Sequence, residues 1–285
     1  HALKHKRRIA VDTNNLFLDG STSFSFLPPI TGAHHLVRFE EQADAVAAAG
    51  DECIVGLDVG STTTKAVILR CRDDAVLGSV YLRTNGNPVK ASRQCYRTLR
   101  EQCGVPLDIQ GVAVTGSGRY IAGLHAQTEG IVNEIIAHAT GAAHFDPAVD
   151  TIFEIGGQDA KYTSLTNSVP SDYAMNEACS AGTGSFLEES AKESLGIEYT
   201  EIETIAAGAS RPPNFNDQCA AFISSDIKTA VHEGIDTPDI AAGLVYSICM
   251  NYVNRVKGQR RVGKKVFMQG GVCYNKAVPL AMANL

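Results

Sequence analysis

The sequence predicts a mixed α/β fold with two related half-domains around a cleft, and three observations support this prediction. Short apolar runs typical of strands alternate with longer stretches that have helical periodicity. Three of the strand-like runs end in a glycine-rich turn, and the first two of these turns also carry a carboxylate. The 285 residues, 44% hydrophobic and 20% charged, are enough to enclose the cores of two modest domains.

The first half begins with three short strands and continues with a helix. The apolar run Cys53–Val59 predicts a strand, and Lys65–Cys71 and Val76–Arg83 predict two more that form a meander with it. Pro88–Gln102 has a helical pattern, and Ile109–Val114 returns to a strand pattern before further helical sequence. This order of elements is typical of a mixed α/β domain.

The second half is mostly helical. It opens with a strand over Thr151–Ile155 and ends with a short buried strand over Val266–Met268. Between them the pattern predicts helices over Gly184–Leu195, Glu201–Gly208, Ala220–His232 and Pro238–Lys257. The last helix is the best supported, because apolar residues recur every three or four positions and Thr237 can cap it before Pro238.

Residues 1–50 have no strong core pattern. They begin with a basic run at Lys4–Arg8 that no apolar segment follows, so this run is not a signal peptide. A stretch from about Glu40 to Ala49 predicts a helix. We interpret residues 1–50 as an N-terminal extension or linker, or as the tail of a preceding domain, and the chain as a piece of a longer protein.

Charge and hydropathy argue against two classes of partner. The formal net charge of −6 is unfavourable for general nucleic-acid binding, because neutralising phosphates requires a basic surface. The sequence contains no run of eighteen apolar residues, which a membrane-spanning helix requires. We therefore expect a cytoplasmic protein whose partners are neither nucleic acids nor membranes.

The glycine-rich turns predict a nucleotide site. A carboxylate at a strand end can hold Mg²⁺, and small residues let backbone N–H groups approach phosphate oxygens. Asp58 is this carboxylate in the first turn, whereas Asp159 in the second is suited to position the attacking water or the metal ion. The predicted nucleotide-binding residues are Gly60, Ser61, Thr62, Thr63 and Lys65 in the first turn, Gly156, Gly157 and Gln158 in the second, and Gly270 and Gly271 in the third.

Two simpler interpretations stay open at this point. Each glycine pair could be an ordinary turn, and Lys65 could be a surface lysine. No turn matches a P-loop or a dinucleotide-binding Rossmann motif. The order of the turns and their spacing of about a hundred residues instead indicate two half-domains that close on one nucleotide.

The eight cysteines do not form a single population. They include no C-x-x-C pair, and a chain of this size does not need a disulfide framework. Cys53, Cys71 and Cys249 lie on apolar faces and are predicted to be core residues. Cys179 and Cys219 each precede a predicted helix and have small neighbours, and helix N-termini favour thiolates and anionic clusters. Packing thiols are the alternative for both. The histidines at 125, 138 and 144 have no spacing that indicates a metal site.

The motifs resemble those of a known family. Their order is similar to that of the actin, Hsp70 and sugar-kinase ATPase superfamily, with two phosphate loops and an adenosine loop. More specifically, the chain resembles the ATP-dependent activators of 2-hydroxyacyl-CoA dehydratases and the related ATPase subunits of benzoyl-CoA reductase, from about Ile54 to the C-terminus. The stretches that carry the resemblance are Gly56–Thr62, Asn133–Ala139, Ile155–Asp159 with Lys161, Met175–Gly184, the Cys219 segment and Gly270–Val272.

The resemblance implies an actin-like or ribonuclease-H-like fold in each half, ATP or ADP with Mg²⁺ as ligands, and a homodimer. It also implies one [4Fe–4S] cluster shared between the two subunits, with Cys179 and Cys219 as the ligands from each; two-fold symmetry then completes four thiolates. The implied function is ATP-dependent, low-potential one-electron transfer to a 2-hydroxyacyl-CoA dehydratase or a related reductase in an anaerobic cell. Ferredoxin or flavodoxin is the implied donor.

The alternatives are a small-molecule kinase of the same superfamily, acting on a sugar or an acid, and a non-catalytic nucleotide-binding scaffold. Neither requires two cysteines at helix starts. We predict the first half-domain over residues 51–145 and the second, which carries the cluster cysteines, over residues 146–285. Relatives continue beyond the adenosine loop with a further strand and helix, so we expect the second half-domain to be truncated.

Overall fold

The computed structural model describes residues 22–40, 45–176, 182–217 and 220–285. Within these residues the chain forms two β-sheets, each flanked by helices. The predicted mixed α/β fold with two half-domains is confirmed, and the second half is the more helical. The domain boundaries at residues 51, 145 and 146 stay predictions.

The first sheet has the strand order β3-β2-β1-β4-β5. Its strands are β1 (Glu52–Val59), β2 (Thr63–Arg70), β3 (Val76–Arg83), β4 (Asp108–Thr115) and β5 (Gly130–Ile131). The first three form the predicted antiparallel meander, and β4 and β5 then add in parallel to the edge of β1. β2 ends at Arg70, so Cys71 lies exposed in the turn after it, and its assignment to the core is wrong.

The second sheet repeats this arrangement, with the order β8-β7-β6-β9. Its strands are β6 (Thr151–Ile155), β7 (Ala160–Thr166), β8 (Val169–Met175) and β9 (Val266–Gln269). β6, β7 and β8 form an antiparallel meander, and β9 pairs with β6 in parallel. The sequence pattern predicted β6 and β9 but neither β7 nor β8. The common topology means that β6 occupies the place in the second sheet that β1 occupies in the first.

The α-helices are α1 (Pro88–Cys103), α2 (Arg119–Ala126), α3 (Glu134–Phe145), α4 (Gly184–Leu195), α5 (Ile202–Ala206), α6 (Ala220–His232), α7 (Thr237–Asn251) and α8 (Ala277–Ala283). The longest helix predicted in the second half is divided, because a π-helical turn over Tyr252–Lys257 follows α7. Asp236 occupies the N-cap position of α7. Every residue from Asp239 to Cys249 is buried, so this helix forms the centre of the second core.

A segment near the N-terminus packs on the second half. Ile30 and Ala33, in a 3₁₀-helical stretch over Ile30–Leu36, are 1% and 0% exposed. The Tyr246 hydroxyl of α7 donates a hydrogen bond to the carbonyl of Pro28 at 2.8 Å. Residues 22–36 therefore belong to the core of the second half, although they precede the first half in sequence.

The predicted helix over residues 40–49 is wrong for its described part. Residues 45–49 contain no helical turn. The Ala45 amide instead donates to the Val76 carbonyl of β3 at 2.7 Å, and the Asp51 carboxylate accepts from the Ala48 amide. Two backbone amides of this segment thus donate hydrogen bonds, one to the edge of the sheet and one to the Asp51 side chain. None of the helices in the described residues is both long and apolar enough to cross a membrane.

Candidate functional site

The first glycine-rich turn joins β1 to β2. The Gly60 amide donates to the Thr63 carbonyl at 2.9 Å, and a Cβ on Gly60 would lie 2.9 Å from the same oxygen, so only glycine fits there. Asp58 and Lys65 face each other across the two strands, with Nζ 2.8 Å from Oδ2. Burial disfavours the ammonium of Lys65, but Asp58 outweighs this effect and the pKa of Lys65 is raised.

The second turn, between β6 and β7, has the same construction. The Gly156 amide donates to the Asp159 carbonyl at 2.8 Å, and a Cβ on Gly156 would lie 2.8 Å from that oxygen. Glu154 and Lys161 are cross-strand partners with Nζ 2.9 Å from Oε1. Each half therefore contributes a hairpin in which an acidic residue, a required glycine and a lysine hold corresponding places.

The strands parallel to β1 and β6 also end in corresponding glycines. Gly116 follows β4 with a φ of +89°, and Gly270 follows β9 with a φ of +101°. A Cβ on Gly116 would lie 2.4 Å from Asp58 Oδ1, and one on Gly270 would lie 2.4 Å from the Ile155 carbonyl. Both glycines thus permit a close approach of their strand end to one of the first two glycine-rich turns. We call these two turns, at Gly60 and at Gly156, the phosphate-type turns. The sequence pattern identified Gly270 as a site residue but not Gly116.

The first two turns face each other across a narrow cleft of about 50 Å³. They touch at its floor, where a Cβ on Gly157 would lie 3.7 Å from Thr62 Cγ2. The predicted residues that line the cleft are Asp58, Gly60, Ser61, Thr62, Thr63, Lys65, Gly156, Gly157, Gln158 and Asp159. Gly270 and Gly271 do not line it; a Cβ on Gly271 would meet the Tyr81 hydroxyl at 2.6 Å. The structure therefore brings together the two phosphate-type turns and places the third turn beside them.

Four charged side chains beside the second turn form a network that sequence reasoning missed, and three of them, Glu134, Glu154 and Lys161, also line the cleft. Lys161 Nζ lies 2.9 Å from both Glu154 Oε1 and Glu134 Oε1, and His138 Nδ1 lies 2.6 Å from Glu154 Oε2. The side-chain amide of Gln269 approaches the same ring nitrogen to 2.6 Å. Nδ1 donates its proton to Glu154, so it cannot accept a hydrogen bond from the Gln269 amide nitrogen. We therefore assign the amide oxygen of Gln269, rather than the nitrogen, to the position that faces the ring.

The electrostatics of this network explain its protonation state. Burial alone would raise the pKa of Glu154, but the hydrogen bond and charge of His138 and the charge of Lys161 lower it to about 2. Burial likewise disfavours the imidazolium form of His138 and lowers its pKa. The hydrogen bond to Glu154 outweighs this effect, so the pKa of His138 is raised. Below the raised pKa of His138, two carboxylates are thus balanced by two cations.

This balance argues against a metal ion among Glu134, His138 and Glu154. One ligand atom from each of the three lies within 4.8 Å of the others, which is compact enough for a cation. However, the ammonium of Lys161, only 5% exposed, already occupies the space between the two carboxylates. The spacing of Glu134 and His138, four residues apart on α3, was the signal in the sequence that could have identified the pair.

The second turn is also bonded to the start of α4. The Gly184 and Ser185 amides donate to the Gly156 and Gly157 carbonyls, each at 2.8 Å, and the Ser185 hydroxyl donates to Gly157 as well. A Cβ on Gly184 would lie 2.7 Å from Val272, so this junction is closely packed. The second turn is therefore hydrogen-bonded directly to the N-terminus of α4.

The end of β8 is held by the same turn. The Asn176 side chain accepts from the Ala160 amide at 2.8 Å and donates to the Gln158 carbonyl at 3.3 Å. The segment between Asn176 and α4, which contains Cys179, therefore has both of its flanks attached to the second turn. Cys179 and Cys219 themselves lie outside the described residues, so their predicted role as cluster ligands stays a prediction.

Comparison with known proteins agrees with this geometry. A family model described as the BadF/BadG/BcrA/BcrD ATPase family matches residues 55–285. The chain belongs to this ATPase family. This match confirms the family resemblance predicted from the sequence motifs. Both glycine-rich hairpins lie within the matched residues.

One similar protein and one similar solved structure are both named as activators of the same dehydratase. The 2-hydroxyisocaproyl-CoA dehydratase activator of Clostridioides difficile is 32% identical over 233 residues, which cover 80% of this chain and 84% of that protein. The solved structure of the activator of the 2-hydroxyisocaproyl-CoA dehydratase from Clostridium difficile with bound ADPNP matches with a TM-score of 0.72 at 31% identity. It covers 81% of this chain and 84% of that chain.

A third relative is longer. An uncharacterized protein of Methanocaldococcus jannaschii is 30% identical over 233 residues, which cover 80% of this chain but 55% of that protein. The chain thus spans about half the length of this relative.

Proposed function

We propose that the chain is an ATP-dependent reductive activator, which couples ATP hydrolysis to low-potential one-electron transfer to a partner acyl-CoA dehydratase or related reductase. The observation that carries this proposal is the attachment of the second phosphate-type turn to both flanks of the Cys179 segment. The similarity to dehydratase activators supports the partner class.

The two hairpins provide what a nucleoside triphosphate requires. Backbone amides at the glycine turns can approach phosphate oxygens, and Lys65 supplies a positive charge at the cleft. Asp58 would hold Mg²⁺ at the first turn, because hard cations prefer carboxylate and water oxygens. Nucleotide binding would place the phosphates between these two turns, which line the same cleft.

Asp159 is proposed to position the attacking water in hydrolysis of the γ-phosphate. Its side chain is exposed at the cleft and lies on the turn opposite Asp58. Catalysis of this kind consists of positioning and electrostatic stabilisation, and a carboxylate beside the γ-phosphate serves both. Gly270 and Gly271, beside the cleft, are proposed to contact the nucleoside.

Coupling would follow from the hydrogen bonds of the second turn. A γ-phosphate that contacts Gly156 and Gly157 would shift α4 through Gly184 and Ser185, and its loss on hydrolysis would release this shift. The nucleotide would thereby favour one of two arrangements of the segment that contains Cys179. A ligand shifts such an equilibrium only because it binds one arrangement more tightly than the other.

Cys179 and Cys219 are proposed to ligate one [4Fe–4S] cluster shared by two copies of the chain. The described residues fit this group, because Cys179 lies shortly before α4, Cys219 immediately precedes α6, and α4 packs against α6. Helix N-termini stabilise thiolates and an anionic cluster. When bound, the cluster would accept one electron from ferredoxin or flavodoxin and pass it to the partner enzyme.

The decisive experiment is anaerobic reconstitution with iron and sulfide, followed by iron analysis, visible absorption and electron paramagnetic resonance. We expect about four iron atoms per dimer. Cys179→Ser and Cys219→Ser should each abolish the spectrum, whereas Cys71→Ser, at an exposed turn outside the site, should retain it. A cluster that survives in the double variant would refute the ligand assignment. ATP-dependent phosphorylation of a sugar or acid without any cluster would favour the kinase alternative.

A further inference from the structure

A second cavity of about 730 Å³ lies in the first half, away from the nucleotide cleft. Its floor is a row of three side chains on neighbouring strands: Val55 of β1 is in register with Ile68 of β2 on one side and with Val112 of β4 on the other. The floor lies about 13 Å along β1 from Val59, where the first phosphate-type turn begins. The nucleotide site does not use this cavity.

The walls of the cavity come from two helices and a loop. Tyr96, Leu99, Arg100 and Cys103 recur at the spacing of one helical face and present a single side of α1. Ala126, the last residue of α2, stands on the other side. The loop from Gly104 to Leu107 and the side chain of Ile109 close the end.

The side chains that line the cavity are mostly apolar. Its floor and most of its walls are aliphatic, and Ile109 is 44% exposed although it lies beside the core. Arg100 provides the single formal charge of the lining, and it has no ion-pair partner among the residues that the structure describes. The Tyr96 hydroxyl is buried and has no hydrogen-bond partner there either. Arg100 is exposed and lies on the α1 side, so the cavity has an apolar body and one positively charged rim.

We infer that this cavity binds a small amphiphilic anion, with its apolar chain on the Val55 floor and its carboxylate against Arg100. The volume lies within the range of small-molecule sites, and a few polar groups in an apolar lining are typical of them. A guanidinium binds a carboxylate through two parallel hydrogen bonds. A neutral chain of the same length would leave Arg100 without a partner and should bind more weakly.

The test uses decanoate as the probe, with 1-decanol and butyrate as comparison ligands. Binding to the full chain is measured by ligand-observed NMR and by the shift of the thermal midpoint. We expect decanoate to bind, butyrate to show no binding, and 1-decanol to bind about tenfold more weakly than decanoate, since a charged hydrogen bond contributes about 1.4 kcal/mol or more.

Variants locate the site. Arg100→Gln should weaken decanoate binding about tenfold. Ala126→Leu, which adds bulk at the partly exposed edge of the cavity, should abolish binding. The matched control is Arg93→Gln, an exposed arginine on the same helix outside the lining, which should bind decanoate like the parent chain.

Three results would overturn the inference. They are no decanoate binding at millimolar concentration, equal affinity for decanoate and 1-decanol, and equal loss of affinity in Arg93→Gln and Arg100→Gln. The last would indicate a general effect of helix charge. Each variant's thermal midpoint without ligand separates loss of binding from loss of folding.

Discussion

The two phosphate-type hairpins have the same local design but very different surroundings. In the first, Asp58 and Lys65 form an isolated pair whose side chains are 21% and 37% exposed. In the second, Glu154 and Lys161 are 9% and 5% exposed and belong to a network with Glu134 and His138. The second hairpin is also bonded to α4 and to the end of β8, whereas the first has no comparable attachment to the Cys179 segment among the described residues.

This difference indicates a division of labour within a repeated element. A half-buried ion pair such as Asp58–Lys65 can exchange its partner for a phosphate or a metal ion more easily than a fully buried one, because water reaches both states and screens them. A buried network cannot exchange partners so easily, since an uncompensated buried charge is expensive. The first hairpin is therefore suited to bind, and the second is suited to hold its shape and transmit displacement.

The largest expected effect compares the two lysines. Lys161→Met leaves two carboxylates without their shared cation and should destabilise the chain by about 3–5 kcal/mol. Lys65→Met removes a half-buried partner from a single ion pair and should cost less, about 1 kcal/mol. Urea denaturation followed by circular dichroism measures both. Equal losses in the two variants would contradict the proposed difference between the hairpins.

The next comparison concerns the residue that accepts the turn hydrogen bond, which is Thr63 in the first hairpin and Asp159 in the second. Only the second offers a carboxylate, so Asp159→Asn should lower the rate of ATP hydrolysis about a hundredfold while nucleotide affinity changes little. Phosphate release and nucleotide titration measure the two quantities. Asp108→Asn, at an exposed carboxylate of β4 outside the cleft, is the control. Full turnover in Asp159→Asn would exclude the assigned role.

Adjacent glycines of the second hairpin provide a third, smaller effect. A methyl group on Gly156 would meet the Asp159 carbonyl at 2.8 Å, whereas one on Gly157 would meet only Thr62 at 3.7 Å. Gly156→Ala should therefore cost about 1–3 kcal/mol, and Gly157→Ala should be close to neutral in thermal denaturation. A greater loss in Gly157→Ala would mean that the turns approach each other more closely than this structure shows.

The sequence could predict the first hairpin and the glycine-rich turn of the second because their chemistry is local. Gly60 and Gly156 follow strand-like runs directly, and the short distance from acid to glycine to lysine is visible in the chain. The family resemblance extended these local patterns to the adenosine turn at Gly270. The topology of each meander follows from the same short-range order, at least where the apolar runs are unbroken.

The network could not be predicted in this way, because tertiary structure brings its members together. Glu134 and His138 lie on α3, Glu154 ends β6, and Lys161 lies on β7. β7 itself went unrecognised, since its buried positions include Lys161 and Thr163, which do not look like core residues. Residues 22–36 posed the same difficulty, because their partners on α7 lie more than two hundred positions away.

The smallest expected effect tests the pH dependence of the second hairpin. Since the pKa of His138 is raised above its ordinary value of about 6.5, its bond to Glu154 contributes fully below that pH and is lost as the pH rises through the folded-state pKa. Glu154, with a pKa of about 2, stays ionised throughout this range. The stability difference between the parent chain and His138→Gln should thus be about 1 kcal/mol at pH 6 and decline at higher pH. Urea denaturation at several pH values measures it, with His144→Gln, an exposed histidine of the same helix, as the control. A difference that grew with pH would mean that neutral imidazole, rather than imidazolium, stabilises the network, and the four charges would then no longer balance.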